Sequence, residues 1–299
     1  MSPVTDEHLP ALFRASDRSS LSAQRRYLDL VRANLVLIIV GSVATSLGVA
    51  SRDLRALLWL LGAAALVSGL VLTGFLLQLK PDEQWYGARA IAESVKTVAW
   101  LYMTRAGPYR NGSPDHHADE RFSRDLADIL HERPAIDVDL GGSESAAGEI
   151  TPRMREVRSQ VVEARKAVYL RDRIQDQRTW YAQRARANAR ASSRWLVATG
   201  AAQLSAAVAA VAMVRWPDFP FHLASVLASI AAVLVGWREV KQYGQLGHAY
   251  GLTAQELGLV EVRAAHVATD DDLAAFVADA EQAISREHTM WAARRRAGI

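Results

Sequence analysis

"LLWLLGAAALVSGLVLTGFLLQL", residues 57–79, decides the fold class. The stretch holds twenty-three residues without a single charged side chain. An α-helix rises ~1.5 Å per residue, so this stretch is about 35 Å long, whereas the hydrocarbon core of a bilayer is about 30 Å thick. We therefore predict a transmembrane helix over these residues.

Three further blocks are long and apolar enough to do the same: Ala33–Ala50, Trp195–Val214 and Phe219–Trp237. The short connections "SRDLR" (51–55) and "RWPDF" (215–219) join the four blocks in two pairs, and such short loops force antiparallel neighbours. The alternative, a soluble α-helical domain, would have to bury four such blocks without lipid. The first block starts too late and is too long for a cleavable signal peptide. We predict an all-α integral membrane protein, with four transmembrane helices in two antiparallel hairpins and long cytoplasmic helices.

Basic residues mark one side of these hairpins. They precede the first span, follow the second, precede the third and follow the fourth: Arg25, Arg26, Arg32, Lys80, Arg89, Arg184, Arg186, Arg190, Arg194, Arg238 and Lys241. The hairpin turns hold only Arg52, Arg55 and Arg215. Because loops rich in Lys and Arg stay in the cytoplasm, both termini and the middle of the chain should be cytoplasmic. This predicts a multi-pass protein of the inner (plasma) membrane.

The two hairpins have the features of a repeat. "AQRRYLDLVRANLVLIIVG" (23–41) and "AQRARANARASSRWLVATG" (182–200) both run from Ala-Gln-Arg to a glycine inside a span at equal spacing. The order of elements is also the same, and such an order at a fixed period indicates tandem units. We predict a first two-span unit over 1–105, a cytoplasmic linker over 106–150 and a second two-span unit over 151–299.

The helix after the first hairpin carries two stripes. One is apolar and includes Ala88, Ile91 and Val95. The other is charged and aromatic, and at helical spacing it contains Trp85, Arg89, Glu93, Lys96 and Trp100. A surface helix needs only one buried stripe, so the second stripe is a candidate for contact with another helix or subunit. A solvated face with Arg–Glu and Glu–Lys pairs is the alternative, and it leaves Trp100 unexplained.

Helix signals also occur in the linker and the second unit. "DERFSRDLADILHER" (119–133) is a short amphipathic helix, and the "RAGPYRNGSPDHH" segment (105–117) before it is a loop. Thr151 as N-cap and Pro152 as first residue begin a helix that we expect to run into the third span. Thr269 caps a last helix, where Leu273, Phe276, Val277, Ala280 and Ile284 form one apolar stripe.

"WYGARAIAESVKTVAWLY" (85–102) and "YLRDRIQDQRTWYAQRARANARASSRW" (169–195) resemble the SLATT family. These are bacterial two-span effector domains found beside nucleotide second-messenger systems, and the resemblance covers nearly the whole chain as two tandem units. It implies a membrane pore that kills or arrests an infected cell. It also implies a nucleotide-sensing or nucleotide-producing partner protein. The second unit departs from the pattern, because "QYGQLGHAYGLTAQELGL" (242–259) lacks the Arg–Glu–Lys stripe.

Several classes of chemistry have no support in the sequence. The chain has no cysteine, no phosphate-binding glycine loop and no nucleophile elbow, so we predict no enzymatic activity, no catalytic residue and no cofactor. Asp115, His116, His117 and Asp119 form one His/Asp cluster, but adjacent histidines in a Gly/Pro loop are usually solvated, so we predict no metal site. The arginines of 184–194 could bind RNA. Beside a span, they more simply touch anionic lipid, and we predict no nucleic-acid partner.

Polar residues inside the spans are the candidates for a pore wall: Ser42, Thr45, Ser46, Gln203 and Ser205. Small polar residues also favour tight helix packing, which is the competing explanation. One chain offers four spans, too few to enclose an obvious aqueous path, so a pore requires a homo-oligomer. A non-conducting membrane scaffold or sensor, assembled through its cytoplasmic helices, is the alternative. A transporter is disfavoured, because no span contains a charged or broken site.

Overall fold

The computed structural model describes residues 2–110, 115–134, 136–138, 148–216 and 222–296, with side chains described as far as residue 284. Every regular element in these ranges is helical, and the predicted all-α class is confirmed. Residues 217–221 lie outside the described residues, and they include most of the second predicted hairpin turn (215–219). Parts of the two predicted loops in the linker also lie outside the described residues.

The helices follow one another with few long connections. Their bounds are α1 (Ala11–Ala50), α2 (Arg55–Leu79), α3 (Pro81–Thr104), α4 (Asp115–His131), α5 (Pro152–Arg158), α6 (Val162–Tyr169), α7 (Asp176–Arg215), α8 (Leu223–Lys241), α9 (Tyr243–Arg263) and α10 (Asp270–Arg296). A π-helical segment, Leu170–Gln175, joins α6 to α7. Four segments are long and apolar enough to cross a membrane, and they contain the first three predicted spans and residues 223–237 of the fourth.

The chain divides into two compact units. We call the unit made of Arg25–Lys80 and Ala182–Leu252 the membrane unit, because it contains the four spans. We call the unit made of Met1–Gln24, Pro81–Tyr181 and Thr253–Ile299 the helical body. Each unit collects segments from both halves of the sequence, so this spatial division differs from the sequential domains 1–105, 106–150 and 151–299, which stay a prediction.

Small residues let α1 and α2 approach closely in the membrane unit. A Cβ atom added to Gly62 would lie 2.7 Å from Thr45 Cγ2 and 3.3 Å from the carbonyl oxygen of Gly41. Nearer the other end of the hairpin, Asn34 Nδ2 donates a hydrogen bond of 3.2 Å to Thr73 Oγ1. Packing of small residues and hydrogen bonds between side chains are the interactions that hold helices together in lipid, where the hydrophobic effect does not act between them.

Helix α8 also packs against α1, and the two run antiparallel. Ser229 Oγ on α8 donates a 2.9 Å hydrogen bond to Ser42 Oγ on α1. Seven residues further along α8, a Cβ atom on Gly236 would lie 3.7 Å from Leu35, seven residues earlier on α1. The first and second hairpins therefore share a helix–helix interface through α1 and α8.

Both hairpins end in the same backbone conformation, which supports the repeat. Lys80 after α2 and Gln242 after α8 have positive φ angles of 40° and 48°, in the left-handed region. Each donates its backbone N–H to the carbonyl four residues earlier, at 3.2 Å for Lys80 and 2.8 Å for Gln242, and a new helix follows directly. A left-handed residue of this kind ends a helix and satisfies one of its free carbonyl groups.

The core of the helical body is built around α3, which packs against α4, α5, α6 and α10. The predicted apolar stripe of α3 is confirmed, because Ala88, Ile91 and Val95 are completely buried. The predicted stripe of α10 is confirmed as well, and its five residues are buried. Thr269 accepts the N–H of Asp272 at 3.1 Å, as expected for an N-cap, and Asp272 accepts the N–H of Thr269 in return. These hydrogen bonds lower the pKa of Asp272.

Two predicted elements of the helical body differ from the structure. Thr151 caps α5 by accepting the N–H of Met154, but the helix stops at Arg158 and restarts at Val162 instead of continuing into the third span. Two arginines stabilise the break: the half-buried Arg105 donates to the carbonyl of Arg158, and the buried Arg165 donates to the carbonyl of Gln160. The amphipathic helix of the linker, α4, starts at Asp115 and not at residue 119, so the two adjacent histidines lie on a helix and not in a loop.

Candidate functional site

The polar residues of the first span differ in burial: Ser46 is buried, Ser42 is half-buried and Thr45 is exposed. The Ser42 hydroxyl accepts a hydrogen bond from the Ser229 hydroxyl of α8. Thr45 donates to the carbonyl of Gly41 at 2.9 Å, and its methyl group packs beside Gly62 of α2. Ser46 is only 5% exposed. Contacts within one chain therefore satisfy the hydroxyl groups of Ser42 and Thr45, whereas the buried Ser46 hydroxyl has no hydrogen-bond partner in the described part of the chain.

The polar residues of the third span are placed differently. Gln203 and Ser205 on α7 are both exposed, and neither side chain hydrogen-bonds to another residue in the described part of the chain. The apolar side chains around them are exposed too, among them Leu204, Val208 and Val211. In the most apolar stretch of this span, only 11% of the residues are buried, against 22% in the first span. The structure thus separates the five pore candidates: Ser42 and Thr45 make contacts within the membrane unit and Ser46 is buried, whereas Gln203 and Ser205 are exposed without such contacts.

The charged stripe of α3 is largely satisfied within the helical body. Arg89 bridges Glu93 at 2.5 Å and Asp17 of α1 at 3.0 Å. Burial raises the pKa of Asp17, and the nearby Arg89 charge opposes this shift only in part. Lys96 pairs with Asp6 at 2.9 Å.

Trp100 is 1% exposed and packs edge-on against Tyr169, with ring centroids 5.6 Å apart. The unexplained tryptophan of this stripe is therefore part of the core. The predicted role in oligomer contact stays a prediction for the stripe as a whole. Trp85, Arg89 and Lys96 remain half-buried, so they are the members of the stripe with surface available for a second chain.

A buried ionic network in the helical body was not predicted from the sequence. Arg173, in the π-helical segment, donates from Nε and Nη2 to the two oxygens of Glu281 on α10, at 2.9 and 2.8 Å. Tyr169 and Thr97 donate to the same carboxylate at 3.0 and 2.9 Å. Arg173 is 0% exposed and Glu281 is 1% exposed.

The environment of this network shifts the pKa values of its donors. Burial by itself disfavours the charged form of Arg173, but the Glu281 carboxylate outweighs that effect and raises the pKa of Arg173. Burial also raises the pKa of Tyr169, and the Glu281 charge adds to it. A signal for the network was present in the sequence, because Glu281 follows Leu273 and Val277 at four-residue spacing and so lies on the apolar stripe of α10.

The His/Asp cluster of the linker serves the packing of α3, α4 and α5. Asp119 accepts a hydrogen bond of 2.6 Å from the Tyr102 hydroxyl and pairs with Arg155, and Asp115 pairs with the buried Arg158 at 3.1 Å. Burial and the bond to Asp119 raise the pKa of Tyr102. Within the described residues, no group of three or more His, Asp or Glu side chains could hold a metal ion.

Comparison with known families assigns both halves of the chain. The description "SMODS and SLOG-associating 2TM effector domain 3" matches residues 10–166, and "SMODS and SLOG-associating 2TM effector domain 1" matches residues 169–291. The chain belongs to the SLATT family. No curated protein and no solved structure matches it significantly.

The two SLATT matches agree with the arrangement of the spans. The first SLATT domain contains the spans of α1 and α2, and the second contains those of α7 and α8, so each domain supplies one two-span hairpin. The tandem arrangement implied by the resemblance is confirmed. The boundary between the two SLATT domains falls at the end of α6, between residues 166 and 169.

Proposed function

We propose that this SLATT protein is an oligomeric membrane effector that opens a regulated pore or ion channel in a bacterial anti-phage or conflict response. The family match supports a membrane effector, and the four apolar helices support a protein that resides in the bilayer. We propose no catalytic activity and no cofactor. The partners expected in this role are the lipid bilayer, further copies of the chain, and a nucleotide-sensing or nucleotide-producing protein.

The position of Gln203 is the observation that carries the proposal. A primary amide has two N–H donors and an acceptor oxygen, and hydrocarbon offers no partner for any of them. Leaving such a group unpaired in an apolar medium costs roughly 2–7 kcal/mol. Gln203 is exposed in a single chain, midway along the apolar span of α7. Its amide is satisfied if the face of α7 that bears it meets water in a pore or polar groups of another copy.

A closed ring of identical subunits provides both environments. The third span is the least buried of the four, so it has the most surface for contact with other copies. Cyclic homo-oligomers repeat one interface around an axis, and residues near that axis line the enclosed space. Placing α7 next to the axis puts Gln203 and Ser205 of every subunit around one path.

Potassium release from liposomes tests the proposal. The purified full-length protein, reconstituted into vesicles loaded with KCl, should release K⁺, either alone or once a nucleotide-responsive partner encoded beside its gene is added. Chemical cross-linking in the same vesicles should show a discrete oligomer. If cross-linked oligomers form without K⁺ release under either condition, the non-conducting scaffold replaces the pore as the function of this protein.

We also propose that the protein lies in the inner (plasma) membrane with both termini in the cytoplasm. The support is the concentration of basic residues at one end of the spans. The chain contains no cysteine, so a single introduced thiol reports the location of one position only. In intact spheroplasts, Arg52→Cys should react with an impermeant maleimide, whereas Ser2→Cys should react only after lysis. The reverse pattern would contradict this orientation.

A further inference from the structure

Aromatic rings and cations cluster where four helices of the membrane unit meet. Trp195 on α7 lies 6.4 Å from Trp237 on α8 and 6.5 Å from Tyr243 on α9, measured between ring centroids. Arg32 of α1 lies 5.3 Å above the Trp237 ring. Lys241 lies 5.8 Å from the same ring and 5.8 Å from that of Tyr243. We call these five residues the aromatic–basic cluster.

The backbone of the membrane unit fixes this arrangement. The left-handed Gln242 ends α8 and starts α9, so Lys241 and Tyr243 stand on either side of the bend. Helix α9 then packs against α7, where a Cβ atom on Gly247 would lie only 3.3 Å from the backbone nitrogen of Ala189. This close approach places the Tyr243 ring parallel to Trp195, at an interplanar angle of 8°. The three rings are half-buried, which leaves their outer edges accessible.

The sequence places the cluster at the depth where lipid phosphates begin. Trp195 is the first residue of the third apolar block, and Trp237 is the last of the fourth. Tryptophan and tyrosine prefer this interfacial depth, because their rings are apolar and their N–H or O–H groups are polar. Arg and Lys at the same depth meet the phosphates of the headgroups. A cation above an indole ring is also held in position by the charge distribution of the ring.

The geometry points to a binding site for the headgroup of an anionic phospholipid, with Arg32 and Lys241 contacting its phosphate and the three rings supporting its glycerol region. Basic pockets between transmembrane helices are suited to such headgroups. One carboxylate competes, because Asp29 pairs with Arg32 at 2.8 Å. Both partners of this pair are more than half exposed, and exposed ion pairs are weak, so a phosphate can replace Asp29.

The apolar surface beside the cluster favours a lipid over a free phosphate ion. Leu196 and Val197 follow Trp195 on α7, and they are 57% and 71% exposed. They provide exposed apolar surface on the same turn of α7, which acyl chains can cover. A free anion would use the cations alone and gain nothing from this surface.

The opposite end of the spans supplies a matched control. There Arg55 lies 5.8 Å from the Trp59 ring. This pair has the same chemistry as Arg32 and Trp237 but has one cation and one ring, where the aromatic–basic cluster has two cations and three rings. Arg55→Gln therefore removes the same charge, also from above an indole ring, without touching the proposed site.

Lipid titration followed by native mass spectrometry tests the site on the purified full-length protein. Phosphatidylglycerol should bind the native protein more tightly than phosphatidylcholine does. The double variant Arg32→Gln/Lys241→Gln should lose about tenfold to thirtyfold in affinity for phosphatidylglycerol, as expected from the loss of two interfacial charges. Arg55→Gln should bind like the native protein, and Arg32→Lys, which keeps the charge, should retain most of the affinity.

The remaining outcomes are informative in either direction. Equal loss in Arg55→Gln, or equal binding of the two lipids, would overturn the site. Displacement of phosphatidylglycerol by millimolar inorganic phosphate would assign the cluster to a free anion instead of a lipid. An unchanged thermal unfolding midpoint in phosphatidylcholine should show that the double variant is folded. K⁺ release does not enter the readout, so a failure here leaves the proposed pore untouched.

Discussion

Replacing Glu281 by alanine should destabilise the helical body by about 3–5 kcal/mol, the cost of leaving one partner of a buried ion pair uncompensated. The change removes the acceptor of both hydrogen bonds from Arg173 and of those from Tyr169 and Thr97. Arg173 is fully buried, so its charge would lose its hydrogen-bonded carboxylate without gaining solvent, and Glu93 would be left to stabilise it from a greater distance without a hydrogen bond. Hydrogen exchange of the full-length protein in detergent measures the effect. Amides of α3 and α10 should exchange about two to four orders of magnitude faster.

A second Glu-to-Ala variant provides the control. Glu261 pairs with Arg178 at 2.7 Å, but the pair is largely exposed, with 29% and 51% of the two side chains accessible. Exposed pairs contribute about 0–1 kcal/mol, so Glu261→Ala should leave the exchange rates nearly unchanged. The double variant Arg173→Met/Glu281→Leu removes both charges and should recover much of the stability. If Glu281→Ala behaves like Glu261→Ala, the buried network does not hold α10 against α3.

Local patterns in the sequence were sufficient to predict most of the helices. Four uncharged blocks indicated four spans, because length and hydropathy alone determine whether a helix can cross a bilayer. The caps at Thr151 and Thr269 and the apolar stripe of α10 depend on residues within one or two turns of each other. Features of this range can be read directly from the sequence.

Contacts between distant segments could not be predicted in the same way. The break between Arg158 and Val162 depends on a distant side chain, because Arg105, the residue after α3, donates to the carbonyl that the helix leaves free. The Arg173–Glu281 pair joins residues 108 positions apart. Trp100 had the pattern of a surface residue because its covering partner, Tyr169, comes from another helix. In each case the missing information is which helix lies opposite.

The same limitation applies to the pore candidates. In the sequence, Ser42, Thr45 and Ser46 on one face of a helix resemble Gln203 and Ser205 on another. The structure distinguishes them, because Ser42 contacts α8, Thr45 contacts α2 and Ser46 is buried, whereas the second pair is exposed without such contacts. A leucine introduced at Ser46 would overfill a packed interface, which typically costs about 1–3 kcal/mol, so it should disturb the membrane unit itself. The exposed pair is therefore the better test of conduction.

Gln203→Leu should reduce K⁺ release from reconstituted vesicles by about tenfold or more, which corresponds to a rise of about 1.4 kcal/mol in the barrier to ion passage. Leucine has a similar size but no polar atoms, so it removes the amides that would hydrate a path through the ring of α7 helices. An apolar constriction favours loss of water from such a path, and dewetting stops conduction. Gln203→Glu should have the opposite effect on cations, since a ring of carboxylates attracts them. Release of K⁺ from vesicles, followed with an ion-selective electrode at equal protein content, measures both variants.

Val211→Leu is the control for this prediction. Val211 lies on the same helix as Gln203, two turns further along α7, and is 73% exposed. Like Gln203 it is exposed, but it has no polar group to lose. This variant should release K⁺ like the native protein. Cross-linking should show the same oligomer for all three variants, because none of the changes adds bulk at a packed position. Normal K⁺ release by Gln203→Leu with the oligomer intact would place the conducting path away from the exposed face of α7. Loss of the oligomer would instead identify Gln203 as a contact between copies, with its amide paired to a neighbouring subunit and not to water.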